Sequence, residues 1–95
     1  MAAYLIADVQ VTDPKQYDEY RKRVPAALAK FGGKFIVRGG TVAPLEGEWK
    51  PSRIVVIEFA SLGQVRQFYD SPEYRHAKEA RLGRAKMNII AVEGV

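Results

Sequence analysis

The chain has 95 residues, of which 47% are hydrophobic and 27% charged, and this balance excludes a disordered protein and predicts one globular domain over residues 1–95. It has no cysteine, which excludes disulfides, thiolate metal sites and thiol catalysis and is typical of a cytoplasmic protein. The formal net charge is +4. The apolar N-terminal run ends at Asp8 and has no basic residue before it, so we expect neither a signal peptide nor a membrane span.

The N-terminal third predicts a strand followed by a long helix. Residues 4–11 have the β-branched composition of a strand. Asp13 is placed to cap a helix that begins at the following proline, with Gln16 completing a capping box, and Gly32-Gly33 is placed to end it. Pro25 is expected to kink this helix because proline has no amide hydrogen. The predicted buried stripe is Tyr17, Tyr20, Val24, Ala27, Leu28 and Phe31.

The middle of the chain predicts a second and a third strand joined by a loop. Residues 34–38 form the second strand, and a β-bulge is expected at Gly39-Gly40 because glycine in extended sequence often marks one. Extended structure is expected to resume over residues 41–45, before a hairpin loop at residues 46–51. Residues 53–59 are the strongest strand pattern in the chain, since five of the seven are β-branched or aromatic.

The C-terminal third predicts a helix in two pieces and a last strand. Ser61 is placed to cap the first piece, Ser71-Pro72 restarts helical geometry, and Gly83 is placed to end the second piece. Residues 87–92 have the composition of a strand. The buried stripe of the first piece is Leu62, Val65, Phe68 and Tyr69.

The resulting βαββαβ order predicts an α+β fold, a ferredoxin-like sandwich with helices on one face of an antiparallel sheet. Alternation along the strands assigns to the helix-covered face Leu5, Ala7, Val9, Val11, Val55, Ile57 and Phe59. It assigns to the other face Tyr4, Ile6, Asp8, Ile36, Arg38, Ile54, Val56 and Glu58. A face so rich in branched aliphatic side chains needs a cover. We therefore expect a homodimer in which two sheets pack together as a dimeric α+β barrel.

Several short motifs follow one another along the chain. They are Phe35-x-Val37-Arg38-Gly39-Gly40, Glu46-Gly47, Ile57-Glu58-Phe59, Tyr69-x-Ser71-Pro72-x-Tyr74 and Arg81. With them, the sequence resembles the bacterial domain-of-unknown-function family numbered 1330, within the dimeric α+β barrel superfamily. The resemblance spans nearly the whole chain and implies a homodimeric ferredoxin-like fold. It implies no single activity, because the superfamily includes cofactor-free monooxygenases, isomerases, haem-dependent peroxidases and proteins of unclear role.

Arg38 is the first candidate ligand-binding residue, together with Gly39 and Gly40. A guanidinium beside open glycine backbone is suited to binding a carboxylate or a phosphate. The alternative is a structural ion pair between Arg38 and either Glu58 or Asp8 on the same sheet face. A hairpin that turned near residues 48–49 would make Arg38 and Glu58 diagonal neighbours on adjacent strands, within an arginine's reach.

Glu58 and Asp8 are candidate catalytic residues because each interrupts an otherwise apolar strand. Two carboxylates on one buried face can act as general acid and general base when their surroundings separate their pKa values. The alternative is that each carboxylate accepts hydrogen bonds from an arginine and has only a structural role.

The last helix carries three further candidates. Tyr74 and Arg81 are seven residues apart and share a face, so both are candidate ligand-binding residues, with Arg81 directed to a substrate anion or to Glu58. His76, the only histidine, is a third catalytic candidate, but its helical position predicts an exposed side chain. A single histidine without cysteine is too few ligands for a dedicated non-haem metal site. Nothing in the sequence supports haem ligation by His76, and we expect no metal and no cofactor.

The basic residues of the last helix invite a nucleic-acid hypothesis, which the strands do not favour. The RNA-recognition motif shares the βαββαβ order but needs aromatic residues on its third strand, and residues 53–58 contain none. The chain also has no phosphate-binding loop and no nucleophile elbow. We predict no nucleic-acid binding and interpret the charges as a solvated helix face.

Two hypotheses for function follow. In the first, the protein binds a small anionic or aromatic metabolite in a pocket lined by aromatic side chains, with Arg38, Glu58 and Arg81 as polar anchors. It then acts either as a cofactor-free isomerase or monooxygenase or only as a binding protein. In the second, it is a non-catalytic dimeric module whose buried charges are paired. An enclosed cavity with convergent polar groups favours the first hypothesis, and a filled interior with every charge paired favours the second.

Overall fold

Four strands and three helices follow one another in a computed structural model that describes residues 1–95. Their order is βαββααβ, which is the predicted βαββαβ order with its second helix in two pieces. The elements are β1 (Ala3–Val11), α1 (Pro14–Phe31), β2 (Lys34–Arg38), β3 (Arg53–Phe59), α2 (Leu62–Tyr69), α3 (Pro72–Arg81) and β4 (Ala85–Glu93).

The strands form one antiparallel sheet in the order β2-β3-β1-β4. The two central strands, β1 and β3, are therefore the first and third in sequence, as in a ferredoxin-like split βαβ unit. The predicted fold class is confirmed. None of the three helices has the length and apolar character needed to cross a membrane.

The helix ends follow the capping signals in the sequence. The Asp13 side chain accepts from the Gln16 amide at 3.2 Å, and Gly32 ends α1 in the left-handed conformation at φ 70°. The helix continues through Pro25, which lies on its exposed side. The break between α2 and α3 arises at Ser71, whose hydroxyl accepts from the Tyr74 amide and donates to the Phe68 carbonyl oxygen. One predicted element is absent, since residues 41–45 belong to an irregular loop over residues 39–52 rather than to a strand.

The two faces of the sheet differ in their environment. On the helix-covered face, cross-strand partners such as Leu5–Ile57 and Ala7–Val55 pack under the helices, as the alternation predicts. Aromatic rings fill the core there, with Phe59 and Phe68 almost fully buried and their ring centroids 5.3 Å apart.

The opposite side of the sheet is an apolar surface with no helix on it, here called the open face. Ile36, Ile90 and Val92 are 48%, 60% and 45% exposed on it. The loop of residues 39–52 reaches this side, where the Trp49 Nε1 donates to the Asp8 carboxylate at 2.9 Å. The other aliphatic residues of the open face are Ile6, Val37, Ile54 and Val56.

Candidate ligand-binding site

A cavity lies between the helix-covered face of the sheet and helices α1 and α3. Thirteen of its sixteen lining residues are hydrophobic, counting Tyr17, Tyr20 and Tyr74 among them. The other three are arginines, Arg21, Arg38 and Arg53, and no aspartate or glutamate lines the cavity. The site is thus an apolar, aromatic space whose only formal charges are positive.

The cavity is narrow in the single chain. Its volume is about 40 Å³, against roughly 300 Å³ or more for typical small-molecule pockets. This volume accommodates small groups, and a ring-sized ligand requires a side chain at the mouth to move. This cavity is therefore smaller than the pocket of the first hypothesis, and the core around it is not the completely filled interior that the second hypothesis expects.

Arg38 reaches this cavity because of a β-bulge in β2. Phe35 pairs with Ile57 on the helix-covered face, but the register then shifts, so that Val37 pairs with Val56 and Arg38 pairs with Val55. The extra residue reverses the alternation, which places Arg38 on the helix-covered face. The predicted position of Arg38 on the open face is wrong, and the bulge lies before Arg38 rather than at Gly39-Gly40.

The bulge also removes the predicted ion pairs of Arg38. Glu58 lies on the open face opposite Lys34 and Tyr4, and Asp8 lies there opposite Ile54, so the sheet separates both carboxylates from Arg38. Arg38 forms no ion pair. Its guanidinium carbon instead lies 4.2 Å from the centroid of the Phe35 ring, in a cation–π contact at the mouth of the cavity.

Arg53 is the second arginine of the site and was not predicted as a ligand-binding residue. Its guanidinium packs against the backbone of Gly39, where an added Cβ would lie 2.0 Å from Nη1. Its Nε is buried and has no hydrogen-bond partner in the protein. Burial raises the pKa of Tyr17, and the nearby Arg53 guanidinium opposes that shift. Alternation could have identified Arg53, which has the same parity as Val55 in β3.

The two glycines after β2 have different surroundings. Gly39 has a φ of 75°. Its amide donates to the Ile54 carbonyl oxygen at 2.9 Å, so this N–H is not free to bind an anion. Gly40 is exposed, and an added Cβ would meet nothing within 4 Å. Gly39 therefore contributes to the site by making room for Arg53.

Tyr74 and Arg81 lie together, as their helical spacing predicts. Arg81 is 6% exposed and its Nη2 donates to the Tyr74 hydroxyl at 3.4 Å. The Tyr74 hydroxyl is also 3.0 Å from the Tyr20 hydroxyl on α1. Arg81 does not pair with Glu58, and it lies behind Tyr74 rather than on the cavity wall. Of the two alternatives for Arg81, the ion pair with Glu58 is not formed in this structure.

None of the three catalytic candidates lines the cavity. Glu58 and Asp8 lie on the open face of the sheet, and the Asp8 carboxylate accepts from Trp49. His76 is exposed on α3, as predicted, and its backbone carbonyl accepts from Arg23 at 2.9 Å. No three of the histidine, aspartate and glutamate side chains come together in a group that could hold a metal ion.

Comparison with known proteins agrees with this fold. The family described as domain of unknown function 1330 (DUF1330) matches residues 2–95, and the chain belongs to it. No curated protein sequence matches the chain.

Among solved structures, a protein of unknown function from Rhodopseudomonas palustris is similar over 99% of this chain and 82% of its own, at a TM-score of 0.79 and 17% identity. A dimeric ferredoxin-like protein of unknown function from Bacteroides fragilis is similar over 98% of this chain and 96% of its own, at a TM-score of 0.66 and 15% identity. SnoaB, a cofactor-independent oxygenase from Streptomyces nogalater, is similar over 99% of this chain and 93% of its own, at a TM-score of 0.69 and 13% identity. At these identities the likeness shows the fold.

Proposed function

We propose that this DUF1330 protein is a homodimer that binds a small aromatic carboxylate, or a similar apolar anion, in the cavity between its sheet and its helices. The observation that carries the proposal is the lining of the cavity, which combines aromatic side chains with three arginines and no carboxylate. A ligand with an apolar body and a negative group matches both parts of that lining.

The charges of the site favour an anion because two of its arginines have no counterion. Arg21 pairs with Asp18 on the surface at 3.7 Å, but Arg38 and Arg53 form no ion pair. A guanidinium next to apolar surface is stabilised strongly by a carboxylate, which can accept two of its N–H groups at once. The buried and unpartnered Nε of Arg53 is one such donor.

Entry of a ring-sized ligand requires the mouth to open, and Arg38 is the side chain best placed to move. Its side chain is exposed, and its guanidinium contacts the Phe35 ring and forms no ion pair. An exposed cation–π contact contributes about 0.5–1 kcal/mol. A new charge-assisted hydrogen bond to the ligand would offset that loss, since such bonds contribute about 1.5–3 kcal/mol.

The homodimer is proposed from the open face. Its aliphatic residues are exposed in the single chain, and the similar Bacteroides fragilis protein is described as dimeric. Two such faces stacked about 10 Å apart would bury their side chains against each other, as two sheets do in a sandwich. The interface would cover the apolar surface that β1, β3 and the edge strands leave bare.

Calorimetric titration with benzoate, 1-naphthoate and the neutral benzamide tests the binding proposal. We expect the carboxylates to bind and benzamide to bind at least about tenfold more weakly, because the amide lacks the charge that the arginines pair with. The variant Arg53→Met should lose this preference. The exposed Arg75 on α3 does not line the cavity, so Arg75→Met is the matched control and should behave as the parent. Equal binding of acid and amide, or a preference that survives Arg53→Met, contradicts the proposal.

A cofactor-independent oxygenase is a second candidate function, by analogy with the named activity of the Streptomyces nogalater protein. The observation that favours it is the hydrogen-bonded pair of tyrosine hydroxyls, Tyr20 and Tyr74, on the wall of an apolar cavity. One O–H of the pair can donate to a developing negative charge. Oxygen uptake with phenolic carboxylates as substrates tests it. Uptake that depends on both tyrosines supports oxygenase activity, and its absence with a bound phenol leaves binding as the function.

A further inference from the structure

A partly buried hydrogen-bonded chain beside the cavity has more donors than acceptors. The chain, here called the tyrosine–arginine chain, consists of Tyr20, Tyr74 and Arg81. Arg81 Nη2 is 3.4 Å from the Tyr74 hydroxyl oxygen, and the two tyrosine oxygens are 3.0 Å apart. Arg81 can only donate, because a guanidinium has no acceptor.

Counting protons shows that one tyrosine O–H is left over. If Tyr74 donates to Tyr20, the Tyr20 proton has no acceptor within the chain. If Tyr20 donates to Tyr74 instead, the Tyr74 oxygen accepts from both Tyr20 and Arg81, and the Tyr74 proton has no acceptor within the chain. Both tyrosines line the cavity. In either arrangement, the spare O–H belongs to a residue on the cavity wall.

The charge of Arg81 makes the cavity wall at Tyr20 and Tyr74 attractive to a negative oxygen. Arg81 is 6% exposed, forms no ion pair, and its Nε has no partner in the protein. Its guanidinium carbon also lies 5.7 Å from the centroid of the Tyr20 ring. Burial holds the pKa of Tyr20 well above its ordinary value, so this hydroxyl keeps its proton and remains a donor.

We propose that Arg81 is a positioning residue that orients the tyrosine–arginine chain so that its spare hydroxyl donates to an oxygen of the ligand. The inference rests on the proposed anion-binding function and narrows the ligand class. The ligand carries a carboxylate for Arg38 and Arg53 and a second oxygen acceptor, such as a carbonyl or a phenolate, at the other end of an apolar body.

The test compares two probes of nearly the same shape, 4-acetylbenzoate and 4-isopropylbenzoate, in calorimetric titrations at pH 7. Both have the carboxylate, and only the first has an oxygen acceptor at the opposite end. We expect the parent protein to bind 4-acetylbenzoate about tenfold more tightly, because a site with a buried donor disfavours a ligand that leaves it unpaired. The double variant Tyr20→Phe with Tyr74→Phe should bind both probes with a ratio near one.

Matched variants separate positioning from structure. Tyr69 lies on α2 outside the cavity, and its hydroxyl accepts from Lys78, so Tyr69→Phe should keep the tenfold ratio. Arg81→Met should lower the ratio, although the carboxylate of both probes still meets Arg53. The ratio is the informative quantity, since a general loss of packing would weaken both probes alike.

The outcomes distinguish this inference from the function on which it rests. Equal binding of the two probes by the parent, with affinity that depends on Arg53, overturns the inference and leaves anion binding intact. A tenfold ratio that persists in the double tyrosine variant also overturns it. If neither probe binds, both the inference and the proposed function fail.

Discussion

The guanidinium of Arg53 packs directly on the backbone of Gly39, so closely that a Cβ on Gly39 would lie 2.0 Å from Nη1 and 2.5 Å from Cζ. Gly39 has a φ of 75°, a conformation that L residues with a side chain adopt at a cost. The first residue of the loop of residues 39–52 thus packs against Arg53, the least exposed of the three arginines that line the cavity. The backbone conformation at Gly39 and the lining of the cavity are therefore coupled at this one contact.

Gly39→Ala should destabilise the protein by about 1–3 kcal/mol, because the new methyl group meets both an unfavourable φ and the Arg53 side chain. Gly40→Ala is the matched control, since Gly40 has no positive φ and nothing lies within 4 Å of its added Cβ. Its effect should stay within about 0.5 kcal/mol. Urea unfolding at one fixed protein concentration measures both. Equal effects of the two substitutions would show that the contact is not a constraint.

Arg38→Ala should cost less than about 1 kcal/mol, because the substitution removes an exposed cation–π contact and leaves no carboxylate unpaired. Glu58→Gln should not rescue this loss, since Glu58 lies on the other face of the sheet. The effects of the two substitutions should add within about 0.5 kcal/mol in urea unfolding. A loss of about 3–5 kcal/mol that Glu58→Gln largely restores is the result expected of a buried ion pair, and it would contradict the bulge.

A charge on the open face should dissociate the proposed homodimer. Val37→Glu and Ile90→Glu each place a carboxylate where two apolar sheets would meet, and burying it there without a partner is costly. Light scattering at micromolar concentration should give a dimer mass for the parent and a monomer mass for the variants. Leu82→Glu is the control, because Leu82 is 55% exposed beyond the end of α3, away from this face. A monomeric parent would refute the dimer.

Stability should fall steeply above pH 10, and part of that fall should disappear in Tyr20→Phe. Burial and the neighbouring Tyr74 raise the pKa of Tyr20 above the ordinary value of 10.0. The folded state therefore holds a proton that the unfolded state releases, so the stabilisation is complete below pH 10 and is lost as the pH rises further. One such proton contributes a slope of about 1.4 kcal/mol per pH unit.

Urea unfolding of the parent and of Tyr20→Phe at several values between pH 9 and pH 11 measures this slope. The comparison uses the change with pH and not the stability at one pH, since the substitution also removes the hydrogen bond to Tyr74. Parallel pH profiles for the two proteins would show that Tyr20 is not buried as a neutral phenol.

Much of the architecture could be predicted because it depends on local patterns. Capping at Asp13 and Ser71, the restart at Pro72 and the apolar alternation of β1 and β3 are properties of a few adjacent residues. The same logic identified the shared face of Tyr74 and Arg81, because seven residues are almost two full turns of a helix. These interactions join residues that are close along the chain, and so the sequence alone determined them.

Tertiary structure alone decided which charges share the cavity. One extra residue in β2 reverses the alternation, and it moves Arg38 from the face of Glu58 to the face of Arg53. The bulge depends on how β2 pairs with β3 across a loop of fourteen residues, 39–52, whose composition does not determine the register. A strand has a period of two, so a shift of one residue exchanges its faces. That exchange turns a predicted ion pair into an unpaired arginine at the mouth of the cavity.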